Sequence, residues 1–283
     1  MAARSLALTF LGATGTITGA RSLLDTGRAR VLVDCGLYQG FKQLRLRNRV
    51  PFAVPLLPGP DGAAPPLGDT PPIDAVVLQH AHLDHSGYLP RLCRAGFRGP
   101  VYCTPGTAAL CRLLLPDSAA LQLHDAAFAN KKGYSKTHPA TPLYDLEDAA
   151  QALRQLVPVE FGERFNLPGE LTASFTRAGH MLGAASLRVD DGVRRVLFSG
   201  DLGREQDIMM APPEPRPHAD VVVMESTSGG RAHDGEDPAE ALADLIRRTA
   251  GRGGKILIPA FAFGRAQALL VLLYQLRRAR KIP

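Results

Sequence analysis

The chain has 283 residues, 45% of them apolar, enough for one large or two modest domains around a sizeable core. Lys and Arg (33) outnumber Asp and Glu (27), a formal charge of +6 that permits a polyanionic partner. No run approaches the roughly 18 apolar residues of a membrane span, and Leu6–Leu11 is too short for a signal-peptide core, so the expected compartment is the cytoplasm.

Residues 5–11, 21–26 and 29–34 predict three short strands joined by Gly-containing turns. The glycines at 12, 15 and 19 are followed by neither Gly-Lys-Ser/Thr nor a helix start, so they read as a strand connection rather than a phosphate loop. Residues 51–72 hold eight of the 23 prolines and read as a loop or insertion without chemistry. The run Ile73-Asp-Ala-Val-Val-Leu78 predicts a buried strand that feeds His80-Ala-His82-Leu-Asp84-His85 into a loop. His80 and His82, two apart, project to the same side of an extended backbone. Asp84 and His85 follow the turn and can face a second position. Imidazoles with a carboxylate suit Zn²⁺. One ion normally takes three protein ligands, so the additional pair points to two ions.

Beyond this cluster, 88–96 predicts a short helix closed by Gly, 100–103 a strand, and 105–115, 117–132 and 145–154 helices. His124 falls inside the second of the long helices and reads as a packing residue. Lys131, Lys132 and Lys136 surround Tyr134, a composition suited to single-stranded RNA and equally that of an exposed loop. Strands recur at 156–160, 170–177, 184–190 and 193–199, with Asp190-Asp-Gly192 as a hairpin turn. His180 follows the second of these between two glycines. Asp201 ends the last, next to Gly200, where a carboxylate can bridge two cations. Alone, His180 reads as a packed core residue and Asp201 as a turn residue; the order His-x-His-x-Asp-His, then His, then Asp is what carries specificity. From Asp220 a buried strand (220–224), a helix (238–250), a strand (255–259) and a helix (265–280) predict an α/β unit with parallel-sheet logic. Cys35, Cys93, Cys103 and Cys111 show no Cys-x-x-Cys spacing and read as buried free thiols.

That order of ligands resembles the metallo-β-lactamase superfamily. The resemblance implies an α/β fold, an αββα sandwich, in which His80, His82 and His180 hold one zinc, Asp84 and His85 the other, and Asp201 bridges them. Asp34, in Arg30-Val-Leu-Val-Asp-Cys-Gly36, matches the strand-end Asp that supports those ligands from behind. Met224-Glu-Ser-Thr-Ser-Gly229 and Ile258-Pro-Ala-Phe-Ala-Phe-Gly-Arg265-Ala-Gln resemble segments of the β-CASP branch, RNA-processing nucleases similar to the cleavage and polyadenylation endonuclease subunit and its bacterial relatives. Phe10–Gly19 and Ala127–Lys136 resemble the prokaryotic members. Ser228 stands where that family usually has Tyr, and Gly230 where it often has Asp.

The resemblance implies two domains, a metallo-β-lactamase domain over 1–210 and the N-terminal part of a β-CASP domain over 211–283. It implies a zinc-dependent ribonuclease in which metal-held hydroxide attacks an RNA phosphodiester, with Asp84, Asp201 and Glu225 as catalytic carboxylates. Lys131, Lys132, Lys136 and Arg265 are the candidate RNA contacts. Family members continue past the equivalent of Pro283, to a further His ligand and a His partnered with Glu225, so the expectation is a fragment with one full zinc site and one incomplete one. Two alternatives stand beside the nuclease: a glyoxalase-type thioesterase, which shares the His-x-His-x-Asp-His cluster, and an inactive fragment. RNA is the expected partner and a membrane is not; the choice between monomer and homo-oligomer is open.

Overall fold

The computed structural model describes residues 6–50, 73–135, 138–230 and 237–283. The proline-rich loop expected at 51–72 and Lys136 lie outside them. Six strands form the first sheet: β1 (Ala7–Gly12), β2 (Arg21–Asp25), β3 (Arg30–Val33), β4 (Ala75–Val77), β5 (Val101–Cys103) and β6 (Leu156–Pro158), in that spatial order. β1, β2 and β3 pair antiparallel; β3 to β6 run parallel. The second sheet has the order β11-β10-β9-β8-β7, from β7 (Arg164–Leu167), β8 (Leu171–Arg177), β9 (Ala185–Asp190), β10 (Arg195–Phe198) and β11 (Val221–Val223).

Alternation along the strands builds the layers, since successive side chains point to opposite faces. Val31, Val33, Ala75 and Val77 meet Leu171, Phe175, Leu187, Val189 and Phe198 in a core between the two sheets. Leu32, Val76 and Leu78 point the other way, into a second core with the helices α3 (Leu89–Arg94), α4 (Pro105–Lys132) and α5 (Leu146–Arg154). Each fully buried Val or Leu contributes roughly 1.5–3 kcal/mol. Helices, sheet and sheet are thus three layers of a sandwich, and the outer face of the second sheet carries half-buried Thr172, Ser174, Thr176 and Arg188.

Several expectations need correction. The two helices expected at 105–115 and 117–132 are one 28-residue helix, α4, with Pro116 inside it. Leu110, Cys111, Leu115, Ser118 and Ala119 stay on one buried face through that position, so packing overrides the missing N–H. No strand forms at 255–259 among the described residues: Leu257 is 92% exposed and no ladder pairs it. The strand expected to be buried at 220–224 exists as β11, but Val221 and Val222 are exposed, and it pairs parallel with β10 as the edge of the second sheet. The short helices α1 (Lys42–Arg47) and α2 (Leu83–Ser86) and strand β7 were not anticipated, because they are too short for a periodic signal. The helices α6 (Pro238–Gly251) and α7 (Arg265–Arg278), the short helix α3, helix α5, the hairpin between β9 and β10 and the four buried free cysteines are as expected. His124 lies within α4 as a helical residue but is exposed, so it does not pack in the core; no helix of the described residues is long and apolar enough to cross a membrane.

Candidate metal centre

Parallel pairs of strands deliver the site. β3 and β4 end side by side, at Asp34 and just before His80. β10 and β11 also end side by side, before Asp201 and Glu225. The carboxyl ends of parallel strands are where α/β sheets collect ligands.

His80 is almost fully buried at the end of β4. Two residues on, His82 is the extended N-cap residue of α2, whose single turn carries Asp84 and His85. The Ser86 hydroxyl donates to the Ala81 and His82 carbonyls and holds that turn closed. Gly36 is required beside it: a Cβ there would lie 1.6 Å from the Asp84 carbonyl oxygen. His180 sits in the loop after β8. The Thr104 and Thr107 hydroxyls at the start of α4 donate to Gly183 O at 2.6 and 3.0 Å and pin that loop. Gly203 N donates to Ala178 O, which ties the Asp201 loop to the His180 loop.

The result is one cluster. His80, His82, His180 and Asp201 each offer a ligand atom, all within 4.8 Å of one another. His82 Nδ1 lies 3.2 Å from Nε2 of both His80 and His180. Asp201 Oδ2 lies 3.8 Å from His80 Nε2 and 3.6 Å from His180 Nε2. Donors roughly 2.0–2.1 Å from one tetrahedral ion stand about 3.3 Å apart, so three imidazoles and a carboxylate at these spacings fit zinc. The outer ring atom of His80, Nδ1, is buried without a hydrogen-bond partner among the described residues, while the His82 ring meets the Phe263 backbone. His85 approaches Asp201 from the other side, with Nε2 3.3 Å from Oδ1, while its Nδ1 is 2.8 Å from Asp34 Oδ2.

Electrostatics follow the same division. Burial, then the neighbouring rings, pushes His80 well below the ordinary histidine value, and burial brings His82 down to about 4. His180 is also lowered, chiefly by burial. These three rings are therefore neutral and available as ligands. His85 goes the opposite way: burial opposes its charge, but Asp34 and Asp201 outweigh it and raise the ring well above its ordinary value. For Asp201 burial opposes ionisation, yet His85, His80 and His180 hold the carboxyl below the usual range. Burial pushes Asp84 up.

Of the ligands expected from sequence, His80, His82, His180 and Asp201 come together in one group; His85 joins Asp201, and Asp84 lies outside that group on the same short helix. Asp34 lies behind His85, its Oδ2 2.8 Å from Nδ1. It adopts a left-handed backbone (φ 59°), an uncommon state for a non-glycine residue that costs about 1 kcal/mol or more. Glu225 lines the same cleft of about 800 Å³ as Asp201 and His85. Its carboxylate accepts from Thr227 N at 2.9 Å, and its own N–H donates to Ser199 Oγ. Arg265 opens α7 and is exposed; just before it, Phe263 packs on the core and the Phe261 ring lies 6.1 Å from His82. Lys131 and Lys132 are exposed at the far end of α4, about 40 Å along its axis from the end that pins the His180 loop.

Sequence reasoning missed Gln79. Its N–H donates to Asp34 Oδ1 at 2.8 Å, and its amide donates to the carbonyls of Phe198 and Ala185. It therefore fastens the strand carrying His80 to the strand carrying Asp201. A lone Gln at a strand end gives no periodic or motif signal. Only adjacency to His80 could have marked it.

Comparison with known proteins agrees with this geometry. The family model described as "Metallo-beta-lactamase superfamily" matches residues 22–246. Ribonuclease TTHA0252 of Thermus thermophilus is 39% identical over 265 residues, which cover 93% of this chain and 53% of that protein. Transcription termination factor FttA of Methanosarcina mazei is 32% identical over 282 residues, covering 98% of this chain and 40% of its own. FttA of Methanocaldococcus jannaschii is 31% identical over 272 residues, covering 94% and 39%. The chain thus spans about half, or less, of the length of these curated relatives.

Proposed function

Because the chain belongs to the metallo-beta-lactamase superfamily, we propose that it is a zinc-dependent ribonuclease of β-CASP type that hydrolyses RNA phosphodiester bonds in RNA processing or decay. The observation that carries this reading is the cluster of His80, His82, His180 and Asp201, whose Asp201 lines a cleft together with His85 and Glu225. The ribonuclease and termination-factor names of its relatives supply the substrate class.

Zinc bound here would supply Lewis acidity and an ionised water for attack on phosphorus. The chain's own residues do the rest. His80, His82 and His180 would hold a first ion as neutral imidazoles. Asp201, kept ionised by its histidine neighbours, and His85 with Asp84 would contribute to a second. Asp34 fixes the His85 ring by accepting from Nδ1, so Nε2 points at the metal side. Glu225, at the end of the strand next to the one bearing Asp201, orients a proton carrier toward the leaving 3′ oxygen. Arg265, exposed at the start of α7, would neutralise phosphate charge on the RNA. The division into a metallo-β-lactamase domain (1–210) and a β-CASP segment (211–283) belongs to the same proposal, as does a cytoplasmic setting.

Incubating the zinc-loaded chain with end-labelled RNA and, separately, with a glutathione thioester tests the reading. RNA cleavage that disappears in His82→Ala supports it. Thioester turnover without RNA cleavage overturns it.

A further inference from the structure

A second concavity lies on the other side of the metal loop. It is a groove of about 640 Å³ between α1 and the C-terminal half of α4. Its floor includes Leu37 and Leu83, and Leu83 directly precedes Asp84. Its far end includes Tyr134, beyond the C-terminus of α4. The groove therefore runs from the metal loop toward the end of the molecule that carries Lys131 and Lys132.

Its α1 wall is strongly cationic. The segment Phe41-Lys-Gln-Leu-Arg-Leu-Arg-Asn-Arg49 has four cations and no acid. No residue of α1 itself is buried. The wall is nonetheless fixed. Buried Asn48 accepts from Tyr38 N at 2.9 Å and donates to Tyr38 O at 2.8 Å. Arg49 reaches across to the Thr141 carbonyl at 2.7 Å, and Arg47 lies over the Tyr38 ring. Two cations are left over for a ligand: among the described residues Lys42 and Arg45, both lining the groove, have no carboxylate partner. The facing wall brings one acid, Asp125. Tyr134, which lines the groove, is 63% exposed. Two cations without a carboxylate partner among the described residues, in a groove that also presents the exposed Tyr134 ring, match a polyanion with flat bases.

The groove also borders the cleft of the metal site. Tyr38 hydroxyl donates to Leu11 O, and Gln39 N donates to Thr18 Oγ1, so the segment 37–40 and the loop 12–20 form one ridge between the two concavities. We infer that the α1–α4 groove is a binding track for single-stranded RNA, with Lys42 and Arg45 on phosphates and Tyr134 stacking a base, continuous with the strand presented at the metal cluster. This rests on the nuclease reading for what the strand is, and its test does not depend on cleavage.

Fluorescence anisotropy with labelled RNAs of about 4 and about 16 nucleotides, in EDTA, provides the test. For the long RNA, Lys42→Ala/Arg45→Ala should weaken binding about 25-fold at 0.1 M salt and flatten the log–log salt slope by about 1.4, the loss of two single-strand phosphate contacts. Tyr134→Ala should weaken the long RNA with the slope unchanged. Circular dichroism and the melting curve of each variant confirm that it is folded. Wild-type affinity and slope in the folded double variant overturn the groove. An oligoglutamate peptide of equal charge that displaces the long RNA one for one makes this a protein-docking face and also overturns it. A wild-type chain that binds the long RNA in the expected salt-dependent way but never cleaves it with zinc overturns the nuclease reading and leaves the track standing.

Discussion

His85 is clamped between two carboxylates: its Nδ1 lies 2.8 Å from Asp34 Oδ2 and its Nε2 3.3 Å from Asp201 Oδ1. Asp34 is the only one of the pair's two anions held behind the ligands, and Gln79 N and a left-handed backbone hold it there. The ring therefore has one orientation, set by a residue that need not touch a metal.

Asp34→Asn keeps the volume and removes the charge. Metal affinity should fall about 10–100-fold, the usual cost of losing a carboxylate behind a ligating histidine. Competition with a chromophoric chelator measures it. Wild-type affinity in the folded variant would mean that Asp34 is only structural.

The two metal positions should differ in strength. One gathers three neutral imidazoles and Asp201 within 4.8 Å; the other has His85 and shared Asp201, with Asp84 outside the compact group. Calorimetric titration of chelator-stripped protein with zinc should show one tight and one weaker event. Two events of equal affinity would contradict the inequality.

Binding at the tighter position should resist acid. Protons compete with metal only as pH approaches a ligand's pKa, and His82 lies at about 4 rather than near 6.5. Zinc affinity should change little from pH 7.5 to 5.5 and drop below about pH 5. The sign for the metal-free fold agrees. A lowered folded pKa means the unfolded chain binds more protons between about 4 and 6.5, so the His82 contribution to stability is lost as pH falls through that window. A steep tenfold loss of affinity per pH unit starting near 6.5 would show ordinary histidines.

Gly36→Ala should be among the more damaging single-methyl changes. Its Cβ would meet the Asp84 carbonyl at 1.6 Å and Ala20 N at 2.9 Å, all backbone. Overpacking of this kind costs about 1–3 kcal/mol, at times more. A urea midpoint indistinguishable from wild type would show that the turn relaxes freely.

The thiols should be silent in the native protein. Burial pushes Cys35, Cys93 and Cys111 up to about 12, and raises Cys103 further, leaving almost no thiolate at pH 8. Iodoacetamide at pH 8 followed by mass spectrometry should label none of the four before urea is added. Rapid labelling of any one would place it at the surface.

The sequence by itself marked the candidate ligands, the strand-end positions of His80 and Asp201 and most strands of the sandwich, because ligand chemistry and period-2 alternation are local and survive without knowledge of the fold. It also determined the family, since the order His-x-His-x-Asp-His, His, Asp is rare by chance. Only the tertiary structure decided which ligands share a centre. His180 is 98 residues from His82, and their nitrogens meet at 3.2 Å because the fold brings the loop after β8 to the loop after β4. Gln79's role and the continuity of α4 across Pro116 were likewise settled by packing, which local propensity does not encode. The same holds for Leu257: its apolar neighbours read as a strand, but a strand needs a partner for its hydrogen bonds, and none pairs there among the described residues.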